Sequence, residues 1–230
     1  MDVYKNSINK EALLNLPEHE RDFFISITHI QNEIRFSLFG VIRTNDFSSS
    51  NEMIVEGQIA YNFYHLKFLA GKLHEAWLYL RKKYFNNKEF SQEFIESSGE
   101  QGQEALKKIK TYFGQKKSAA SLIRDKLAFH YSPEDLVMHL DSVSDNLNIY
   151  ISKTNDINTL YYFAEAIVNR TVLSSVKNEG GENPIKALND EIIGLAVSFN
   201  QLNLSFIKFF TSKYKDKFFN TESEKMDCDE

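Results

Sequence analysis

The chain reads as an all-α protein, an antiparallel helical bundle with long core helices and short extra helices, and three observations predict it. Only 3 proline and 9 glycine residues interrupt 230 positions, and scarce breakers favour long helices over strands and turns. Apolar residues recur at spacings of three and four through several segments, which marks helices with one buried stripe. Aromatic residues are plentiful, with 19 Phe and 11 Tyr, so the core should be rich in large rings.

The first long helix begins near Pro17-Glu18, with proline where the first turn tolerates it and acids at the positive end of the dipole. Phe23, Ile27, Ile30, Ile34, Leu38 and Val41 form its stripe, and it ends near Thr44 before the polar loop Asn45–Asn51. In the second helix Ile59, Phe63, Leu66, Ala70, Leu73, Trp77, Leu80 and Tyr84 alternate spacings of four and three. Such a seam fits packing against the first helix, the preferred reading, or a coiled-coil-like dimer seam. A shorter basic helix is predicted over Gln103–Phe113, broken by Gly114-Gln115, and a fourth from Ser118 to Phe129 or His130. Ser132, Pro133 and Asp135 then resemble a capping box that starts a short helix through Leu140. Asn148–Ser152 is strand-like, and Thr154-Asn155-Asp156 is a cap for a helix reaching Val176. After the loop Glu179–Pro184, the last helix is expected from Ile185 to Phe218, striped by Leu188, Ile192, Leu195, Phe199, Leu202, Phe206 and Phe209. Residues 1–219 therefore read as a single helical domain and 220–230 as an acidic disordered tail.

Composition excludes several classes. Hydrophobic residues at 42% and charged residues at 26% are those of a globular chain rather than a disordered one. The single cysteine, Cys228, cannot form an internal disulfide or a zinc finger. No histidine follows a glutamate by three, His65 and His74 flank the second seam without a ligand spacing, and no glycine-rich nucleotide loop or nucleophile elbow occurs. No metal and no cofactor are expected. The N-terminus lacks the pattern of a signal peptide, and apolar runs such as Ile192–Val197 are too short to span a bilayer. A cytoplasmic protein without a membrane partner is the expectation.

The net charge of −5 argues against a broad nucleic-acid coat. Between Gln101 and Lys126, however, Lys107, Lys108, Lys110, Lys116, Lys117, Arg124 and Lys126 face only Glu104 and Asp125. That run is either a solvated helix face or a phosphate-facing patch leading into Arg124-Asp125-Lys126-Leu127-Ala128-Phe129-His130. Arginine holds a phosphate with a fork of donors, and histidine moves a proton near neutral pH. On one regular helix six residues turn about 600°, leaving Arg124 and His130 about 120° apart and about 9 Å along the axis. The bend before Pro133, or a second copy from a dimer partner, would close that gap. The plainer reading makes Arg124 and Asp125 a surface pair and His130 a helix-terminal residue favoured by the dipole.

Arg-Asp, four residues, then His resembles the Arg-polar-x4-His signature of HEPN domains. The wider stretch Ile123–Tyr131 looks like members that read Arg-Asn-Lys-x-Ala-Phe-His-Tyr, and Leu69–Trp77 also looks like bacterial relatives of unassigned function. The resemblance implies an all-helical, metal-independent endoribonuclease acting in toxin–antitoxin or phage-defence systems. It would be a homodimer with a composite site, with RNA as substrate and an antitoxin or nucleotidyltransferase as partner. His130 would be general base or acid, Arg124 would stabilise the phosphate, and Asp125 would orient either. Lys126, Tyr131, Lys116 and Lys117 would contact RNA. The alternative is a non-catalytic helical binding or assembly protein of the same fold.

Overall fold

Asn9 and Pro17 divide the start of the chain, and each opens a helix for a local reason. The Asn9 side chain accepts from the Glu11 and Ala12 amides to cap α1 (Lys10–Leu14), and Pro17 precedes the acidic first turn of α2 (Glu18–Arg43). These elements come from a computed structural model that describes residues 3–5, 8–115, 118–125, 140–143, 147–151, 159–175, 183–214 and 224–226. Asn51 caps α3 (Glu52–Leu80), which widens into a π-helical turn at Arg81–Phe85. Asn87 caps α4 (Lys88–Ser97), and Gly99, at φ 65°, supplies the left-handed backbone that turns the chain into α5 (Gly99–Gly114). Then follow α6 (Ala119–Ile123), a 3₁₀ turn at Leu140–Ser142, α7 (Tyr162–Ser175) and α8 (Pro184–Lys213). Asn183 caps α8 and Pro184 occupies its first turn.

The architecture is the all-α bundle that the breakers and stripes predict. Helices α2 and α3 pack along each other, α5 packs along α8, and α8 also touches α2, α3, α4, α6 and α7. Its buried Leu188, Ile192, Leu195, Phe199, Leu202, Phe206 and Phe209 are the stripe the sequence shows. At one end of the core the rings of Phe23, Tyr84, Phe90, Phe94, Phe206 and Phe209 pack mostly edge to face, while Phe94 and Phe206, 4.2 Å apart between centroids, are tilted at 32°. Polar ties fix the register. Asn189 donates to Asn45 and Asn62, Asn62 to the Val41 carbonyl, and Asn203 to the Ile27 carbonyl. Buried Glu20 accepts from Lys213 and Tyr214, joining the start of α2 to the end of α8.

Three expectations about the helices change. A helix, α4, occupies Lys88–Ser97, a stretch in which the sequence marks none. The helix reaching Val176 starts at Tyr162, because Tyr150 and Leu160 exchange both backbone hydrogen bonds in an antiparallel bridge that holds the chain extended. Its expected cap, Thr154-Asn155-Asp156, lies outside the described residues. The last helix stops at Lys213, where Tyr214 leaves helical geometry (φ −119°, ψ 31°), rather than at Phe218. Within the segment expected to be a disordered tail, Glu224–Met226 pairs antiparallel with Val3–Lys5. The short helix expected from Pro133 to Leu140 lies outside the described residues except for its last position.

Among the described residues α8 is long and apolar enough to cross a membrane by length and composition, although no unbroken apolar run in it is long. Within its most apolar stretch, 56% is buried inside the bundle. That is where a core helix keeps its apolar face.

Candidate functional site

Arg124 stands at the point where a packed helix comes to the surface. Ala119, Ala120 and Ile123 of α6 are buried, and α6 lies against α3. Ser118 gives α6 no side-chain cap, its hydroxyl being within 2.8 Å of the Ser121 hydroxyl instead. The Tyr112 hydroxyl of α5 fills the role, accepting from the Ala120 amide at 3.1 Å while donating to Glu191 Oε1 at 2.6 Å. Burial pushes the Tyr112 phenol well above its ordinary value, so it stays a donor to Glu191.

The guanidinium is held from two sides. Arg124 Nε and Nη2 both donate to Glu75 Oε1 of α3, at 3.1 and 2.9 Å, and Nη1 donates to Asp125 Oδ1 at 3.1 Å. These hydrogen bonds, first to Glu75 and then to Asp125, hold Arg124 above even its usual pKa. Its side chain remains 35% exposed. One positive charge against two carboxylates leaves the cluster net negative, so an incoming phosphate must displace at least one of them.

His74, next to Glu75 on α3, is half-buried, and its ring packs edge-on to Phe113. Its Nδ1 is buried without a hydrogen-bond partner among the described residues. Burial lowers its pKa first of all; Asp125 pulls it up, Arg124 pushes it down and Glu75 pulls it up. The ring therefore holds a proton less readily than a free imidazole.

Of the residues singled out in the sequence, Arg124 and Asp125 are thus together. His130, Lys126, Tyr131, Lys116 and Lys117 lie outside the described residues. Of the rest of the basic run, Lys107, Lys108 and Lys110 are exposed on α5, with Lys110 over the Phe85 ring. Sequence reasoning missed Glu75 and passed over His74. A signal existed: Glu75 is the single carboxylate between Glu56 and Glu89, in a stretch otherwise charged by lysine and arginine. Among the described residues no group of three His, Cys, Asp or Glu side chains is placed to hold a metal ion. A groove of about 450 Å³ between α2 and α3, lined by Phe36, Phe39, Gly40, Arg43, Thr44 and His65, contains no residue of the Arg124 cluster. No family model, no curated protein and no solved structure matches the chain.

Proposed function

We propose that this chain is a HEPN-like helical protein that cleaves RNA without a metal ion, with Arg124 and His130 as its working pair and a second copy of the chain completing the cleft. The observation that carries the proposal is the setting of Arg124: a partly exposed guanidinium just after the buried residues of α6, oriented by Glu75 and Asp125. In this reading His130 removes the proton from a ribose 2′-hydroxyl, whose oxygen then bonds to the adjacent phosphorus. The 5′ oxygen leaves, taking a proton from the imidazolium so formed, and a cyclic 2′,3′-phosphate remains. Arg124 stabilises the charge that gathers on the phosphate once Glu75 or Asp125 gives way. Lys126, Tyr131, Lys116 and Lys117 guide the strand. The protein acts in the cytoplasm, in toxin–antitoxin or phage defence, beside an antitoxin or a nucleotidyltransferase.

A second reading, a non-catalytic binding or assembly protein, is favoured by the same clamp, since two carboxylates neutralise the one arginine. Incubation of the purified chain with mixed RNAs in EDTA, beside Arg124→Ala and His130→Ala, decides between them. The nuclease reading expects cleavage by the parent alone, ending in cyclic phosphates. Equal cleavage by all three, or none by the parent, sinks it.

A further inference from the structure

The groove of about 450 Å³ between α2 and α3 is built from one side of α2 and a single ring of α3. Phe39, Gly40 and Arg43 follow Phe36 by three, four and seven residues, which places all four within about 100° around the helix axis. From α3 comes His65, whose ring lies where a side chain at position 40 would stand. A Cβ on Gly40 would come closer to the imidazole than atoms approach, so the glycine makes room for the ring in the groove lining. The two helices are in register here, since Lys72 reaches Glu33 at 2.6 Å and Asn62 donates to the Val41 carbonyl.

The lining is apolar along its length and cationic at one end. Phe36 is 71% exposed and Phe39 46%, and neither ring belongs to the packed core. Arg43 makes no hydrogen bond or ion pair among the described residues. Nor is its side chain needed to finish α2. The Gly40, Val41 and Ile42 carbonyls accept from the Thr44 amide, and the Thr44 hydroxyl donates to Gly40 at 2.7 Å. The ring nitrogens of His65 also have no hydrogen-bond partner among the described residues. Among those residues no carboxylate lines the groove, and Arg35, over the Phe39 ring at 5.4 Å, adds a second positive charge at its edge.

We propose that this groove binds a small aromatic carboxylate, with its ring against Phe36 and Phe39 and its carboxylate on Arg43. The volume falls in the range of about 300–1,000 Å³ that small-molecule sites occupy. A guanidinium grips a carboxylate with two parallel hydrogen bonds, and an imidazole N–H of His65 supplies a further donor. A flat aromatic body suits two phenyl rings, because ring pairs gain from offset and edge geometries beyond the area they bury. A phosphate monoester fits worse. It brings nearly two charges and three acceptor oxygens, while the Thr44 hydroxyl beside Arg43 already donates to Gly40. The groove shares no residue with the Arg124 cluster, so its occupancy is independent of any RNA cleavage.

1-Naphthoate, followed by its fluorescence anisotropy as the full chain is added, is expected to bind saturably at one site per chain. Arg43→Gln is expected to weaken it about tenfold, the loss of one charge-assisted pair. Phe36→Ala, which removes a largely exposed ring, is expected to weaken it as well, and the helical circular dichroism of both variants stays that of the parent. Uncharged 1-naphthamide is expected to bind the parent more weakly than naphthoate and to lose nothing further in Arg43→Gln. Arg81→Gln, at an exposed arginine about 24 Å along the chain of helical turns from His65, is expected to bind naphthoate as the parent does. No saturable binding, an affinity unmoved by Arg43→Gln or Phe36→Ala, or an equal loss in Arg81→Gln overturns the site. Displacement of naphthoate by an equal concentration of inorganic phosphate overturns the ligand class.

Discussion

His74 occupies a position where one proton matters. Burial holds its folded pKa below the ordinary histidine value of about 6.5, while an unfolded chain titrates near that value. As pH falls below about 6.5 the unfolded state binds more protons than the folded one, so stability from this residue is complete above that point and declines below it. Melting temperature followed between pH 5 and 8 is expected to drop on the acid side, and His74→Gln is expected to flatten that part of the curve. An unchanged acid slope in the variant would remove His74 as its source. The same neighbourhood shows the reach of single residues in a sequence. Arg124 and Asp125 adjoin in the chain, so their pairing was visible as a pattern. Glu75 lies 49 residues from Arg124, and only tertiary packing of α6 on α3 brings the two within 3 Å.

Among the elements, α6 is the one whose placement depends most on a neighbour. Its α-helical part is Ala119–Ile123, which Arg124 and Asp125 continue as a π-helical turn. The Tyr112 hydroxyl caps it, and its apolar side rests on α3. Tyr112→Phe leaves the Ala120 amide without its acceptor and Glu191 without its donor. A loss of about 1–3 kcal/mol in urea unfolding is expected. No change beyond a few tenths would show that water replaces the cap. The long helices were legible because their stripes run for many turns: from Phe23 to Val41, Phe63 to Tyr84 and Leu188 to Phe209 the stripe residues are buried, with Ile30, Leu38 and Trp77 partly so. α4 was not, since ten residues with only Phe90 and Phe94 buried give too few repeats to separate a helix from a loop. The late start of α7 was hidden for another reason. A bridge between Tyr150 and Leu160 is a long-range choice that no local spacing records.

At the scale of the molecule, one helix holds the rest together. α8 touches six other helices, and its side chains complete the core on which α2, α3 and α5 rest. A chain ending before Pro184 therefore lacks the surface that the others bury, and it is expected to show no cooperative thermal transition by circular dichroism. A sharp transition in that fragment would mean that the earlier helices form a core of their own. Because α8 follows the other described helices in the sequence, its place in the fold also sets a schedule. A ribosome adding about 5–20 residues per second delivers the central helix after the described helices that pack on it. Until then the apolar sides of α2, α3 and α5 are exposed on the nascent chain, so the growing polypeptide depends on a chaperone, or on speed, during the seconds before its keystone arrives.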